Sequence, residues 1–304
     1  HDHGFTIPDP LLTKQFGIPN ACNRCHTDKD VDWALKAVEA THGAKMERRT
    51  RSRATLLAKA RLGDHAALEG LLTLLKSDDT PYWKAAACNL LDQWTGNEEV
   101  RTALQSQLQH ADPLVRGAAV RALEPVMEGD PFRLRSSIEP LLSDASRSVR
   151  VAAAWCLRDH LDMSSQAGLE LQRMLDINAD QPSGRMQRGQ FHYARGEIPH
   201  AINEMKKAVE WDPGSPPFRH DLAMMHSLGG DSESAIKELL EAIRLSPNEA
   251  EYRYKIGLAW HEMGDIDKTI EALRDTRPVD VDTEVHQHDV SQRRKIQPPA
   301  QLPA

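Results

Sequence analysis

From residue 47 onward, apolar residues recur at three- and four-residue intervals, a spacing that predicts amphipathic helices joined in pairs. Over 47–178, three helical stretches carry matching strings: Trp83-Lys84-Ala85-Ala86-Ala87, Val115-Arg116-Gly117-Ala118-Ala119 and Val149-Arg150-Val151-Ala152-Ala153. Asp79, Asp112 and Asp144 precede them at intervals of 33 and 32 residues, and each is expected to cap a helix start. An earlier pair over about 47–62 and 64–76 completes four expected hairpins. Over 182–283 the period becomes a strict 34. Gly189, Ala223 and Gly257 keep it, as do Gly196, Gly230 and Gly264, and Ala201, Ala235 and Thr269. Ala208 and Ala242 share that spacing, and so do Pro213 and Pro247. The small residues let paired helices cross closely, the glycines turn the chain, and the prolines stop the second helix of each pair.

The first 45 residues obey neither rule. Pro8, Pro10 and Pro19, with Gly4 and Gly17, forbid a long helix there and predict a segment that wraps around something. One short helix is expected from about Asp30, with Val31, Ala34, Leu35 and Val38 on one face and Gly43 as its terminator. The end of the chain, 284–304, is Pro-rich and poor in apolar residues, and is expected to be disordered. The expected organisation is therefore 1–45, 46–180, 181–283 and a tail at 284–304, in an all-α fold.

The 34-residue unit resembles the tetratricopeptide (TPR) repeat, and the preceding region resembles HEAT repeats of shorter period, so the larger part is expected to form an α-solenoid. Such stacks present extended surfaces for docking proteins. Composition narrows the function classes. The formal charge of −7 is spread along the chain, with no concentrated basic footprint, and no nucleic-acid partner is expected. No apolar run approaches the roughly 20 residues a membrane-spanning helix needs. The chain opens on His1 with no leader-like segment, which suggests a processed or truncated start.

The chemistry concentrates in Cys22-Asn23-Arg24-Cys25-His26. Two thiols three positions apart can add across the two vinyl groups of one haem, and the adjacent imidazole can then take the iron, so the spacing points to c-type haem attachment. Half of a zinc site and a redox dithiol are the alternatives. Zinc would need two more ligands, and there is no second Cys-x-x-Cys; a redox dithiol usually sits in an α/β fold. Cys88 and Cys156 lie among alanines and leucines and read as buried thiols. No nucleophile constellation or phosphate-cradling loop accompanies these residues.

The run from Asp2 and His3 through Phe5, Ile7 and Pro10, then Gly17 to His26 and on to Trp33-Ala34, is similar to the last haem-binding segment of multihaem c-type cytochromes fused to TPR repeats. The resemblance covers about residues 2–42. It implies at least one covalent haem c held by Cys22, Cys25 and His26, with His26 the proximal iron ligand. His3 matches the family's Asp-His position and is the first candidate for the distal ligand. His1 is the second, and His42 and Met46 are weaker. Phe5, Ile7, Leu11, Leu12 and Trp33 are expected against the porphyrin, and Arg24 and Lys29 near its propionates. Further Cys-x-x-Cys-His motifs lie upstream in that family and none is present here, which leaves the haem count open. The resemblance implies a periplasmic or extracellular electron carrier, with the repeats docking a redox partner or neighbouring cytochrome subunits, homo-oligomers included. The alternatives are a redox or docking part of a multihaem oxidoreductase and a structural subunit of a haem-chain assembly.

Overall fold

The computed structural model describes residues 7–77, 79–129 and 131–274. His1 and His3, Phe5, and the tail with His286 and His288 lie outside the described residues. Every regular element among the described residues is helical. The chain divides into two compact units, His1–Met174 and Leu175–Ala304.

The first unit opens with three short helices, α1 (Pro10–Phe16), α2 (Ala21–Cys25) and α3 (Val31–His42). Pro10 begins α1 where a missing N–H costs nothing, and Gly17 ends it at φ 66°, its N–H donating to the Thr13 carbonyl at 2.8 Å. Asp30 caps α3 by accepting from the Trp33 N–H at 2.7 Å. α1 packs on α3, and Leu12, Ala34, Val38 and Met46 are buried. This small assembly is fastened to α4 (Arg49–Arg61) through Asp9. The Asp9 carboxylate accepts from Arg51 Nε and Nη2 at 2.9 and 2.8 Å, and the Arg48 guanidinium donates to the Ile7 carbonyl at 2.6 Å. A bidentate arginine on a buried carboxylate fixes orientation as well as distance, so the entry to the Cys-x-x-Cys-His segment has a set position.

Beyond it run α5 (Leu68–Lys76), α6 (Pro81–Leu91), α7 (Glu98–Gln107), α8 (Pro113–Gly129), α9 (Pro131–Ile138), α10 (Arg147–Cys156) and α11 (Gln166–Asn178), the last of which crosses into the second unit. The three alanine-rich strings fall on α6, α8 and α10, and α8 packs against both others. Ala85, Ala87, Ala118, Ala119, Ala152 and Ala153 are buried in one continuous core that runs from Leu57 to Leu157. The aspartates ahead of these helices differ in role. Asp112 does cap, accepting from the Leu114 N–H at 2.8 Å. Asp144 accepts from the Ser146 N–H but also takes both prongs of Arg116 at 2.8 Å. Asp79 does not cap α6; it is buried between Arg49 and Arg53, at 3.2 and 3.4 Å. A buried carboxylate is held first by the cation that neutralises it, and helix capping becomes secondary.

The second unit contains α12 (Pro182–Ala194) with α13 (Ile198–Trp211), α14 (Pro216–Leu228) with α15 (Ser232–Leu245), and α16 (Ala250–Glu262) with α17 (Ile266–Arg274). The turns inside the pairs place Gly196, Gly230 and Gly264 at φ 73°, 79° and 78°, a region open to glycine at no steric cost. Ala201, Ala235 and Thr269 are buried at the helix crossings. Each of the first two pairs is also bridged by a charge pair: Arg185 to Glu204 at 2.8 Å and Arg219 to Glu238 at 2.6 Å.

His226 is 6% exposed, and its Nδ1 stands 3.4 Å from the Asp231 carboxylate. Burial, with Lys206, holds its pKa below the ordinary imidazole value against the opposing pull of Asp231 and Glu238. A depressed histidine makes the unfolded chain the better proton binder. Stability is therefore full above the unfolded pKa near 6.5 and falls as pH drops through and below it. Melting curves of wild type and His226→Phe between pH 7.5 and 5.5 should show the wild type losing more on acidification. Parallel pH slopes would exclude His226 as the source.

Candidate haem-attachment site

Cys22 and Cys25 stand at the second and last positions of α2, one helical turn apart, and neither is in a disulfide. Cys25 is exposed and Cys22 partly so. His26 ends the helix at φ −92°, ψ 70°, its N–H donating to the Cys22 carbonyl at 2.9 Å. The imidazole is exposed and lies 4.9 Å from the Trp33 ring, tilted by 55°. Trp33 is 38% exposed on the first turn of α3, and Ile18, four residues before Cys22, is 40% exposed. The two thiols, the imidazole and two large apolar side chains thus belong to one short stretch, and each is open to solvent.

This donor set fits a covalently held haem. Two sulfurs one turn apart can each reach a vinyl group, the imidazole comes next in the chain, and exposed apolar surface beside it gives a porphyrin something to cover. The alternatives fit less well. A tetrahedral zinc site needs four converging ligands. Among the described residues, no group of three or more His, Cys, Asp or Glu is arranged to hold a metal ion. A redox dithiol usually sits in an α/β fold, and no strand occurs among the described residues.

Other residues singled out by sequence fall elsewhere. Met46 is 1% exposed and lies in the buried set with Leu12, Ala34 and Val38. His42 is the last residue of α3, partly buried. Leu12 is in the core, while Ile7 and Leu11 are half-buried. Lys29 pairs with Asp28 at 3.1 Å, and Arg24 is exposed. Cys88 is fully buried, and burial pushes its thiol up to about 12, so it remains an inert S–H.

The motif alone gave no hint of two asparagines. Asn20 is 7% exposed, and its Oδ1 accepts from the Asn23 N–H at 3.1 Å, capping α2. Its Nδ2 donates to Thr13 Oγ1 and to Asn23 Oδ1, both at 2.9 Å. Asn23 in turn donates from Nδ2 to the Lys29 and Asp30 carbonyls at 3.0 and 3.1 Å. Asparagines at cap spacing were the available signal, but the longer-range partners were not readable from spacing.

The comparisons with known proteins bear on the repeats. The HEAT-repeat family matches residues 68–158, and a TPR-repeat family matches 227–264. No curated protein matches the chain. Among solved structures, a crystal structure of MamA protein is 17% identical and covers 58% of this chain and 88% of that one, with a TM-score of 0.37. Human IFIT1, solved as a dimer with PPP-AAAA, is 15% identical over 80% of this chain and 66% of that one, with a TM-score of 0.46. The Cut9-Hcn1 hetero-tetramer of the APC/C is 14% identical over 88% and 70%, with a TM-score of 0.34. The family matches identify HEAT repeats over 68–158 and a TPR repeat over 227–264, and the described residues form helices and no strands. No helix among the described residues is long and apolar enough to cross a membrane.

Proposed function

We propose that this chain is a c-type cytochrome that carries electrons outside the cytoplasm, in the periplasm or beyond, while its HEAT and TPR repeats dock a redox partner or a neighbouring cytochrome subunit. The observation that carries the reading is the solvent-open turn in which Cys22, Cys25 and His26 succeed one another beside Trp33. A haem bound there would supply a reversible one-electron iron centre. Cys22 and Cys25 would each give a thioether, the sulfur bonding one vinyl carbon and the thiol proton going to the other, with no net oxidation. His26 would hold the iron on one side, and His3, with His1 second, is the proposed ligand on the other. Trp33 would shield the imidazole side from water, which tunes the potential.

The test is the intact mass and visible spectrum of the full chain made in a host that attaches haem c. We expect a mass increase of one covalently bound haem and a reduced spectrum with sharp low-spin bands. Colourless protein of unmodified mass would refute the reading.

A further inference from the structure

We infer that Asn23 is the positioning residue of the attachment turn: it shapes the Cys22–His26 segment before any haem arrives. The inference rests on the haem reading and adds to it a residue that the motif leaves unspecified. Between α2 and α3 the chain runs from His26 to Asp30 with few backbone partners of its own: the Lys29 N–H reaches the His26 carbonyl at 3.2 Å, and the Asp30 carbonyl takes the Ala34 N–H only at 3.4 Å. A loop of this kind is open unless side chains satisfy its carbonyls. Asn23 does so twice, using both amide hydrogens on the Lys29 and Asp30 carbonyls, at 3.0 and 3.1 Å. Its remaining acceptor is taken by Asn20 Nδ2 at 2.9 Å.

Asn20 uses its second hydrogen on Thr13 Oγ1 at 2.9 Å, and Thr13 donates to the Ile18 carbonyl at 2.6 Å. The relay therefore joins α1, the Gly17–Asn20 loop, α2 and the start of α3. Its far end is Asp30, whose carboxylate holds the Trp33 N–H at 2.7 Å. Asn23 thus fixes the thiol-bearing turn against the helix that carries Trp33, the ring beside His26. Each side-chain hydrogen of both asparagines has an acceptor, so this geometry is specified by their amides. Ordering the turn in the haem-free chain removes the entropy that would otherwise have to be lost when the two sulfurs engage one porphyrin.

The test compares wild type, Asn23→Ala and Asp28→Ala, a neighbour on the same loop but outside the relay. Two quantities are read: the fraction of full-length chain with covalent haem after a fixed maturation time, and amide exchange at His26 and Lys29 in the haem-free chain. Loss of three side-chain hydrogen bonds, two to the Lys29 and Asp30 carbonyls and one from Asn20 Nδ2, should slow loading about tenfold in Asn23→Ala and speed exchange at both amides by a similar factor, with the overall melting curve unchanged. Asp28→Ala should load as wild type. If Asn23→Ala does not fold, Asn23→Asp is equal in size and lacks both donors, and the same losses are expected. Loading and exchange at wild-type levels in the folded variant would overturn the inference. A wild type that takes no haem would refute the cytochrome reading instead, and the exchange rates would still decide whether Asn23 holds the turn.

Discussion

Replacing both motif thiols, Cys22→Ala with Cys25→Ala, is expected to abolish covalently held haem while leaving the helical content intact. The separation is possible because neither sulfur holds the fold together. Cys25 is exposed, Cys22 is partly exposed, and no disulfide links them. α2 is held by its own backbone, by the Asn20 cap and by the Asn23 relay, none of which uses a sulfur. Alanine has the highest helix propensity, so the change in stability should stay within about 0.5 kcal/mol. Each single variant should retain one thioether and therefore still stain for haem on a denaturing gel, more weakly.

Cys88→Ala is the matching control. Cys88 is enclosed by the core, with its thiol held protonated by burial, so its loss should lower the melting temperature and leave haem staining unchanged. Staining of the double variant at wild-type strength would show that the haem is attached elsewhere, and the account of the site would fall with it.

The reach of the sequence differed from element to element for physical reasons. The small residues at 34-residue spacing were readable because close helix crossing demands Gly or Ala at fixed points, and Ala201 and Ala235 are indeed buried. The alanine-rich strings of α6, α8 and α10 were readable for the same reason. Charged positions misled. Asp79 looked like a helix cap but neutralises Arg49 and Arg53, and the sequence pattern does not show that Arg185 and Glu204 pair at 2.8 Å with both side chains largely buried. Such partners are far apart in the chain, and no local pattern announces them. The thiols and imidazole stand out by their spacing, whereas Asn20 and Asn23 do not, since the partners of their amides lie up to seven residues away and no local pattern shows them.

The same geometry sets a sharp contrast between two glycines of α12. Gly184 stands on its first turn, where an added Cβ would run into the carbonyl of Asn178. Backbone cannot swing aside as a side chain can, so Gly184→Ala must push α12 away from the end of α11. Overpacking of this kind costs typically 1–3 kcal/mol, and with a main-chain obstacle we expect about 3 kcal/mol. Gly189 has an equally buried setting but meets Met205 Cγ at 2.9 Å and Sδ at 3.1 Å, the middle of a flexible side chain that can rotate. The chain itself carries Ala223 at the equivalent position one repeat later, fully buried. Gly189→Ala should therefore cost under about 1 kcal/mol, offset in part by the better helix propensity of alanine. Thermal melts of the two variants measure the difference directly. Equal losses would mean that the approach of α11 to α12 is looser than the Asn178 contact requires.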